Sequence, residues 1–168
     1  MHLLIDGYNL LFVKKSFQSP SALELELARN RLLERLSTYR QRKPCAITVV
    51  FDGWQGGWTT EKTELRRGIE VVFSKLGEKA DEVIKRRLQE RGAGWVLVSS
   101  DRELVTFAGR LSASVISSDQ FLEKLENAPF HSRNGKDEEE EERTDKKKGP
   151  SRRLSKREKR ARAALRKL

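Results

Sequence analysis

The sequence predicts an α/β fold with a mainly parallel central sheet, and three observations lead there. Short apolar, often β-branched runs recur along the first 127 residues. Helix-length segments with apolar residues three and four apart separate them, and several of the runs stop at an aspartate. Strands that alternate with helices form parallel sheets covered on both faces, so they read as near-continuous apolar runs. In such sheets ligands bind just beyond the carboxyl ends of the strands, which makes the acids at those ends candidate site residues.

The first strand, His2 to Ile5, stops at Asp6-Gly7 in the stretch Asp6-Gly7-Tyr8-Asn9. Leu10 to Val13 opens a short helix or loop before the Ser19-Pro20-Ser21 punctuation. Ser21 is placed to cap a helix running to about Gln41, with Pro44 beyond its end. Leu25, Ala28, Leu32, Leu36 and Tyr39 give that helix one buried stripe, and its arginines, Arg29 among them, read as a solvated face. Cys45 to Phe51 is a second strand, and it too ends in Asp-Gly, at Asp52-Gly53. Trp54 to Gly68 is first glycine-rich and then basic; it reads as a long loop, a feature that is commonly functional in a compact domain.

Ile69 to Phe73 is the third strand, and a helix opens at Glu78 and runs to about Arg91, where Gly92 ends it. Trp95 to Ser99 is the fourth strand, again followed by an acid at Ser99-Ser100-Asp101. A short helix to Gly109, a brief strand at Ser114 to Ile116 and a last helix capped by Ser118 or Asp119 complete the domain, with Phe121, Leu122 and Leu125 turned inward.

The formal charge of +10 is unevenly spread. Residues 1–128 carry 20 Lys and Arg against 17 acids, residues 129–142 carry 2 against 6, and residues 143–168 carry 13 against 2. Such a tail cannot bury enough apolar surface to offset its ordering entropy. The domain boundary therefore falls near Asn127, with a domain over 1–127 and a charged, disordered tail over 128–168 whose basic end suits a polyanion. One cysteine, Cys45, excludes an internal disulfide framework and fits a reducing cytosol. The N-terminus lacks a signal-peptide pattern and no apolar run reaches the length of a membrane span, so a cytoplasmic protein is expected.

The chemistry is carried by acids. Asp6, Asp52 and Asp101 follow strands, and Asp81, with Glu78 just upstream, lies in the first turn of a helix. In a parallel sheet these positions share one edge, where like charges raise one another's pKa unless a cation neutralises them. Hard oxygen ligands suit Mg²⁺ or Mn²⁺, and such ions activate water for phosphodiester cleavage. Each acid taken singly has a structural explanation: turn chemistry at Asp52, a helix dipole at Glu78 and Asp81, a helix cap at Asp101. Asp6 stands out because Asp-Gly-Tyr-Asn offers it no obvious capping role. No G-x-G-x-x-G follows the first strand and there is no G-x-x-x-x-G-K-[ST], so nucleotide binding of those kinds is unsupported. Tyr8 stands where an aspartyl phosphatase needs its second acid.

Four motifs in order, Ile5-Asp6-Gly7-Tyr8-Asn9, Val49 to Gly53, Glu78 to Ile84 and Ser99 to Asp101, resemble the YacP-like NYN domains over roughly residues 2–127. Ala28-Arg29 followed by Leu32 fits the same pattern. The resemblance implies a PIN-like three-layer ribonuclease fold and a metal-dependent endoribonuclease with relatives acting on mRNA at the ribosome. By position it makes Asp6, Asp81 and Asp101 the metal-binding acids, gives Asn9 the orientation of a ligand or water, and lets Asp52 and Glu78 complete the site. Two departures stand against it: Gly53-Trp54-Gln55-Gly56-Gly57-Trp58 replaces the usual segment, and the charged tail lies outside the domain pattern.

For RNA, Trp54 and Trp58 are candidates to stack bases, and Lys62, Arg66 and Arg67 to neutralise phosphates. The basic tail is expected to bind ribosomal or other RNA. A non-catalytic RNA- or ribosome-binding adaptor on the same fold is the rival reading. It is disfavoured because a binder of a polyanion gains nothing from converging acids.

Overall fold

The computed structural model describes residues 1–13, 20–53, 57–91 and 94–126. Its strands are β1 (His2–Asp6), β2 (Ala46–Phe51), β3 (Lys62–Arg66), β4 (Ile69–Phe73), β5 (Trp95–Val98) and β6 (Ser114–Ile116). Its helices are α1 (Gly7–Leu11), α2 (Ala22–Arg42), α3 (Ala80–Arg91), α4 (Arg102–Arg110) and α5 (Ser118–Glu126). The tail beyond 126, and the helix stop expected at Gly92, lie outside the described residues.

The strands form one sheet in the order β3-β4-β2-β1-β5-β6. All neighbours pair in parallel except β3 and β4, which are antiparallel. From β1 the chain moves outward on one side through β2 to β4, and later returns to lay β5 against the other flank of β1. The strand order therefore reverses at β1, and the crevice of an open α/β sheet lies at that reversal, beyond the carboxyl ends.

Side chains alternate across the pleat, so each strand feeds two cores. Leu3, Ile5, Val49, Val71 and Val98 pack with Leu32, Leu33, Leu36 and Tyr39 of α2 and with Phe121, Leu122 and Leu125 of α5. On the opposite face Leu4, Val50, Val72 and Leu97 pack with Val83, Ile84 and Leu88 of α3 and with Leu104 and Ala108 of α4. The result is the three-layer α/β/α arrangement, and the apolar stripe expected on α2 is its buried face, with Leu33 added. Ser21 closes α2 with a full capping box: its hydroxyl accepts from the Glu24 N–H, and the Glu24 carboxylate accepts from the Ser21 N–H.

Two expectations are corrected here. The segment before Gly68 is not all loop, because Lys62 to Arg66 forms β3, an edge strand with an exposed, charged pattern. It is held by β4 and by the tight turn at Arg67 and Gly68, whose φ values of 53° and 77° match the twist that two-residue hairpins favour. At α5, the hydroxyl that receives the first-turn N–H, that of Gln120, belongs to Ser117 rather than to Ser118 or Asp119. Along the flank of α3, Arg86 and Arg87 pair with Glu61, Glu70 and Glu78, and Lys85 with Glu82 and Glu103, so the basic cluster there is a laced surface. No described helix is long and apolar enough to cross a membrane.

Candidate functional site

Asp6 ends β1 at the strand-order reversal and is only 7% exposed. Contrary to the expectation from sequence, it has a capping role: its Oδ1 accepts from the Asn9 N–H at 3.1 Å and so starts α1. Its Oδ2 accepts from the Ser99 hydroxyl at 3.1 Å. Burial pushes the Asp6 carboxyl up to about 6, because the charged form loses water; the nearby Asp81 and Asp52 charges add to the rise, and the two hydrogen bonds oppose it. Gly7 follows because the helix passes tightly against β2: a Cβ there would come within 2.2 Å of the Phe51 ring.

Asp52, just past β2, turns its Oδ1 to the Ala80 N–H at 2.7 Å, which ties the end of that strand to the start of α3. Its neighbour Gly53 lies against the Ser74 carbonyl where a Cβ would collide, and the Gly53 N–H donates to the buried Ser74 hydroxyl. Asp81, in the first turn of α3, is half-buried and accepts no hydrogen bond from the described residues. Burial raises its pKa, and the charges of Asp101 and Asp52 raise it further, while Lys85 opposes. Asp101 caps α4, its Oδ1 accepting from the Glu103 and Leu104 N–H groups. Asp6, Asp52, Asp81 and Asp101, drawn from four separate stretches of chain, are thus joined electrostatically at one edge of the sheet: Asp6 feels Asp81 and Asp52, and Asp81 feels Asp101 and Asp52.

Glu78 sits differently from the other acids. It is engaged by Arg86 at 2.6 Å and belongs to the ion ladder along α3. Asn9 acts as a clamp: its Oδ1 accepts from the Ser100 N–H at 2.9 Å and from the Ser118 hydroxyl at 2.6 Å, joining α1, the β5–α4 connection and α5. Ser99, fully buried, also accepts from the Asp101 N–H, so one hydroxyl links two of the site acids. Ser100 donates to Asp119 at 3.3 Å, which brings that acid to the rim. The Ser-Ser-Asp motif carries these two serines beside its acid.

Beside the acids lies a cleft of about 310 Å³ lined by Leu23, Glu26, Arg29, Asp52, Trp58 and Phe73, among others. Trp58 packs against Phe73 with ring centroids 5.0 Å apart, and Lys62 sits 4.7 Å above the Trp58 ring while also pairing with Glu64. Arg66 and Arg67 are not brought to this place. Antiparallel pairing sets Lys62 opposite Phe73 at the acidic edge and Arg66 opposite Ile69, roughly 13 Å away at ~3.3 Å per residue. Arg66 pairs with Glu64, and Arg67 with Glu34. Trp54 lies outside the described residues. Arg29, which the sequence suggested was merely solvated, instead donates to the Tyr8 hydroxyl at 2.7 Å and stands over the Phe73 ring.

Among the described residues no group of three or more His, Cys, Asp or Glu side chains is already gathered as a metal centre. The donor set nevertheless suits a hard cation. Asp81, and the Oδ2 atoms of Asp52 and Asp101, accept no hydrogen bond from the described residues, and Mg²⁺ needs only one or two carboxylates when water and substrate phosphates complete its shell.

A parallel sheet with acids from four stretches at its carboxyl edge is a nuclease-type, PIN-like architecture. The model of the YacP-like NYN domain matches residues 3–167, and the chain belongs to that family. The match takes in the charged stretch beyond Asn127. A Bacillus subtilis (strain 168) protein, "Uncharacterized protein YacP", is 33% identical over 89 residues, covering 52% of this chain and 51% of that one. The chain therefore spans about half the length of that curated relative in the match. The crystal structure of Rae1 (YacP) from Bacillus subtilis superposes with a TM-score of 0.59 at 27% identity over 75% of this chain and 74% of that one. A mutant of the same protein gives 0.61 at 26% identity with the same coverage.

Proposed function

We propose that the protein is a metal-dependent endoribonuclease that hydrolyses RNA phosphodiester bonds internally, with mRNA on the ribosome as its setting. The observation that carries this reading is the electrostatic convergence of Asp6, Asp52, Asp81 and Asp101, beside a cleft with an aromatic wall. Uncompensated, four carboxylates at one edge repel both one another and a polyanion; with a divalent cation they attract a phosphate. Asp81 and Asp101 would hold Mg²⁺ or Mn²⁺, with Asp6 behind them. The ion would supply Lewis-acid stabilisation and a more acidic water for attack on phosphorus.

The chain's own residues do the rest. Asp52 and Asp101 fix the starts of α3 and α4, which sets where Asp81 stands. Ser99 holds Asp6 and the Asp101 backbone in register, and Asn9 ties α1 to its neighbours through its Oδ1, so that its Nδ2, which has no acceptor among the described residues, would be the atom that orients a ligand or water. Trp58 offers one base a stacking face, with Lys62 at its back. The basic end of the tail would hold RNA or ribosome through phosphates, with strong salt dependence.

The test is cleavage of a labelled single-stranded RNA with Mn²⁺, Mg²⁺ or EDTA, by wild type and by Asp81→Asn, repeated on translating ribosomes. Internal cuts that require metal and disappear in the variant support the enzyme. A specific observation favours the adaptor as the second reading: Asp6, Asp52 and Asp101 all serve as caps or ties, which a binding module would keep for its fold. Intact RNA in every arm of the assay would select it.

A further inference from the structure

The cleft beside the acids contains a cation that the nuclease chemistry described above does not use. Arg29 extends from α2 into it, and its guanidinium is fixed from two sides. One Nη donates to the Tyr8 hydroxyl at 2.7 Å, and the Phe73 ring lies beneath, 5.7 Å from Cζ to the ring centroid. Tyr8 belongs to the Asp-Gly-Tyr-Asn turn that carries Asp6, and Phe73 also supports Trp58. Phe73 and Trp58 line the cleft, and an aromatic row continues behind them from Phe73 through the buried Phe51 to Tyr8, with centroid spacings of 5.0, 5.8 and 5.2 Å from Trp58 to Tyr8.

Arg29 is the one cationic side chain lining this cleft among the described residues, and it makes no ion pair with them. Arg66, Arg67, Arg86 and Arg87 differ, since each of them faces a carboxylate. A guanidinium has five N–H donors, and Tyr8 takes one. Aromatic packing and one hydrogen bond hold the fork in place without neutralising it, and such a fork matches a phosphate in two-pronged fashion.

We infer that this cleft is a nucleotide subsite of the substrate strand, in which Arg29 holds the phosphate of the nucleotide whose base lies on Trp58, next to the bond that the acids address. The inference rests on RNA as substrate, which is the reading proposed above. It adds a substrate-binding residue at a position where neither the acids nor the tail can act: a cation anchored to the same turn as Asp6 registers the strand against the site.

The test is equilibrium binding of a labelled single-stranded oligoribonucleotide to the full chain in EDTA, where no metal-dependent cleavage occurs, across a salt series. Arg29→Gln is expected to weaken binding about tenfold at low salt and to reduce the slope of log K against log salt by about 0.7, the share of one phosphate on a single strand. Arg29→Lys should keep the slope and recover part of the affinity, because it retains charge without the fork. Combined with Trp58→Ala, the Gln variant should lose less than the product of the separate losses, since both act on one nucleotide. If Arg29→Gln proves unstable in a melt, Tyr8→Phe removes only the acceptor that fixes the guanidinium, and a severalfold loss is expected.

Unchanged affinity and slope in a folded Arg29→Gln, or multiplicative losses with Trp58→Ala, overturn the subsite, as does a wild type that does not bind RNA. The two readings fail separately. A wild type that binds RNA through Arg29 but never cuts it loses the nuclease and keeps the subsite; one that cuts RNA while Arg29→Gln binds normally loses only the subsite.

Discussion

Asp6 makes a quantitative claim about the whole fold. Its carboxyl is raised from 3.8 to about 6, mainly by burial. Each pKa unit corresponds to about 1.36 kcal/mol, so the ionised residue destabilises the folded chain by about 3 kcal/mol at neutral pH. The sign follows from proton binding. Between the unfolded value near 3.8 and the folded value near 6 the folded state holds the extra proton, so stability from this residue is full below the lower value and falls as pH rises. Asp6→Asn keeps the cap acceptor for the Asn9 N–H and a partner for Ser99, but carries no charge. Urea unfolding of both proteins should therefore give nearly equal stabilities at about pH 4 and an advantage of about 3 kcal/mol to the variant at about pH 7.5. The difference between variant and wild type removes the contributions of titrating groups that do not interact with Asp6; Asp81 and Asp52, whose charges act on it, remain in the difference. A difference that stays constant across that range, or a variant less stable at neutral pH, would refute the assignment of a buried, electrostatically costly carboxylate.

Other outcomes follow from the same geometry. Mn²⁺ should raise the melting temperature of wild type at neutral pH, and Asp81→Asn should lose most of that rise along with at least a hundredfold in cleavage, measured by thermal shift and by gel. Gly53→Ala should destabilise by about 3 kcal/mol in denaturant titration, because its Cβ meets the Ser74 backbone rather than a side chain that can yield. Asn9→Ala should lose about 1 to 2 kcal/mol, since the buried Ser118 hydroxyl loses its acceptor while the exposed Ser100 N–H turns to water. Removing residues 129–168 should leave the Mn²⁺-induced melting shift intact, weaken RNA binding and flatten its salt dependence; equal affinity over a salt series would sink the role given to the tail.

How far the sequence revealed this arrangement depended on where each residue sits. Parallel strands buried on both faces leave apolar runs, so β1, β2, β4 and β5 could be read directly, and their order in the chain placed the acids at one edge. β3 could not be read, because Lys62 to Arg66 is an exposed edge strand whose charges look like a loop; its pairing with β4 and the turn at Arg67 and Gly68 define it instead. That hairpin also explains why Lys62 reaches the cleft while Arg66 and Arg67, close to Trp58 in sequence, are carried to the far edge. Helix periodicity marks a buried face but does not tell solvent from a cleft, so in sequence Arg29 is indistinguishable from its neighbours on α2, and only the contacts with Tyr8 and Phe73 set it apart.

The acids are a different case, because the fold makes capping and chemistry compatible roles of one side chain. A helix that begins where a parallel strand ends needs an acceptor for its first N–H groups, and an aspartate there delivers one oxygen to the backbone while the other remains available. Asp52 and Asp101 spend Oδ1 in this way and leave Oδ2 without a described donor. Asp6 alone spends both oxygens, and it is also the one whose carboxyl is pushed up to about 6. The site acids thus divide by depth. Asp81 and Asp101 have oxygens to offer a cation, whereas Asp6 acts from behind through its charge. A cation placed before them would offset the Asp81 and Asp52 charges that add to the Asp6 shift, so Mn²⁺ should lower the Asp6 carboxyl by that electrostatic share and leave the larger share due to burial. In practice, the pH-dependent stability gap between wild type and Asp6→Asn should shrink when the metal is added. A gap unchanged by saturating Mn²⁺ would place the ion, if it binds, away from Asp6.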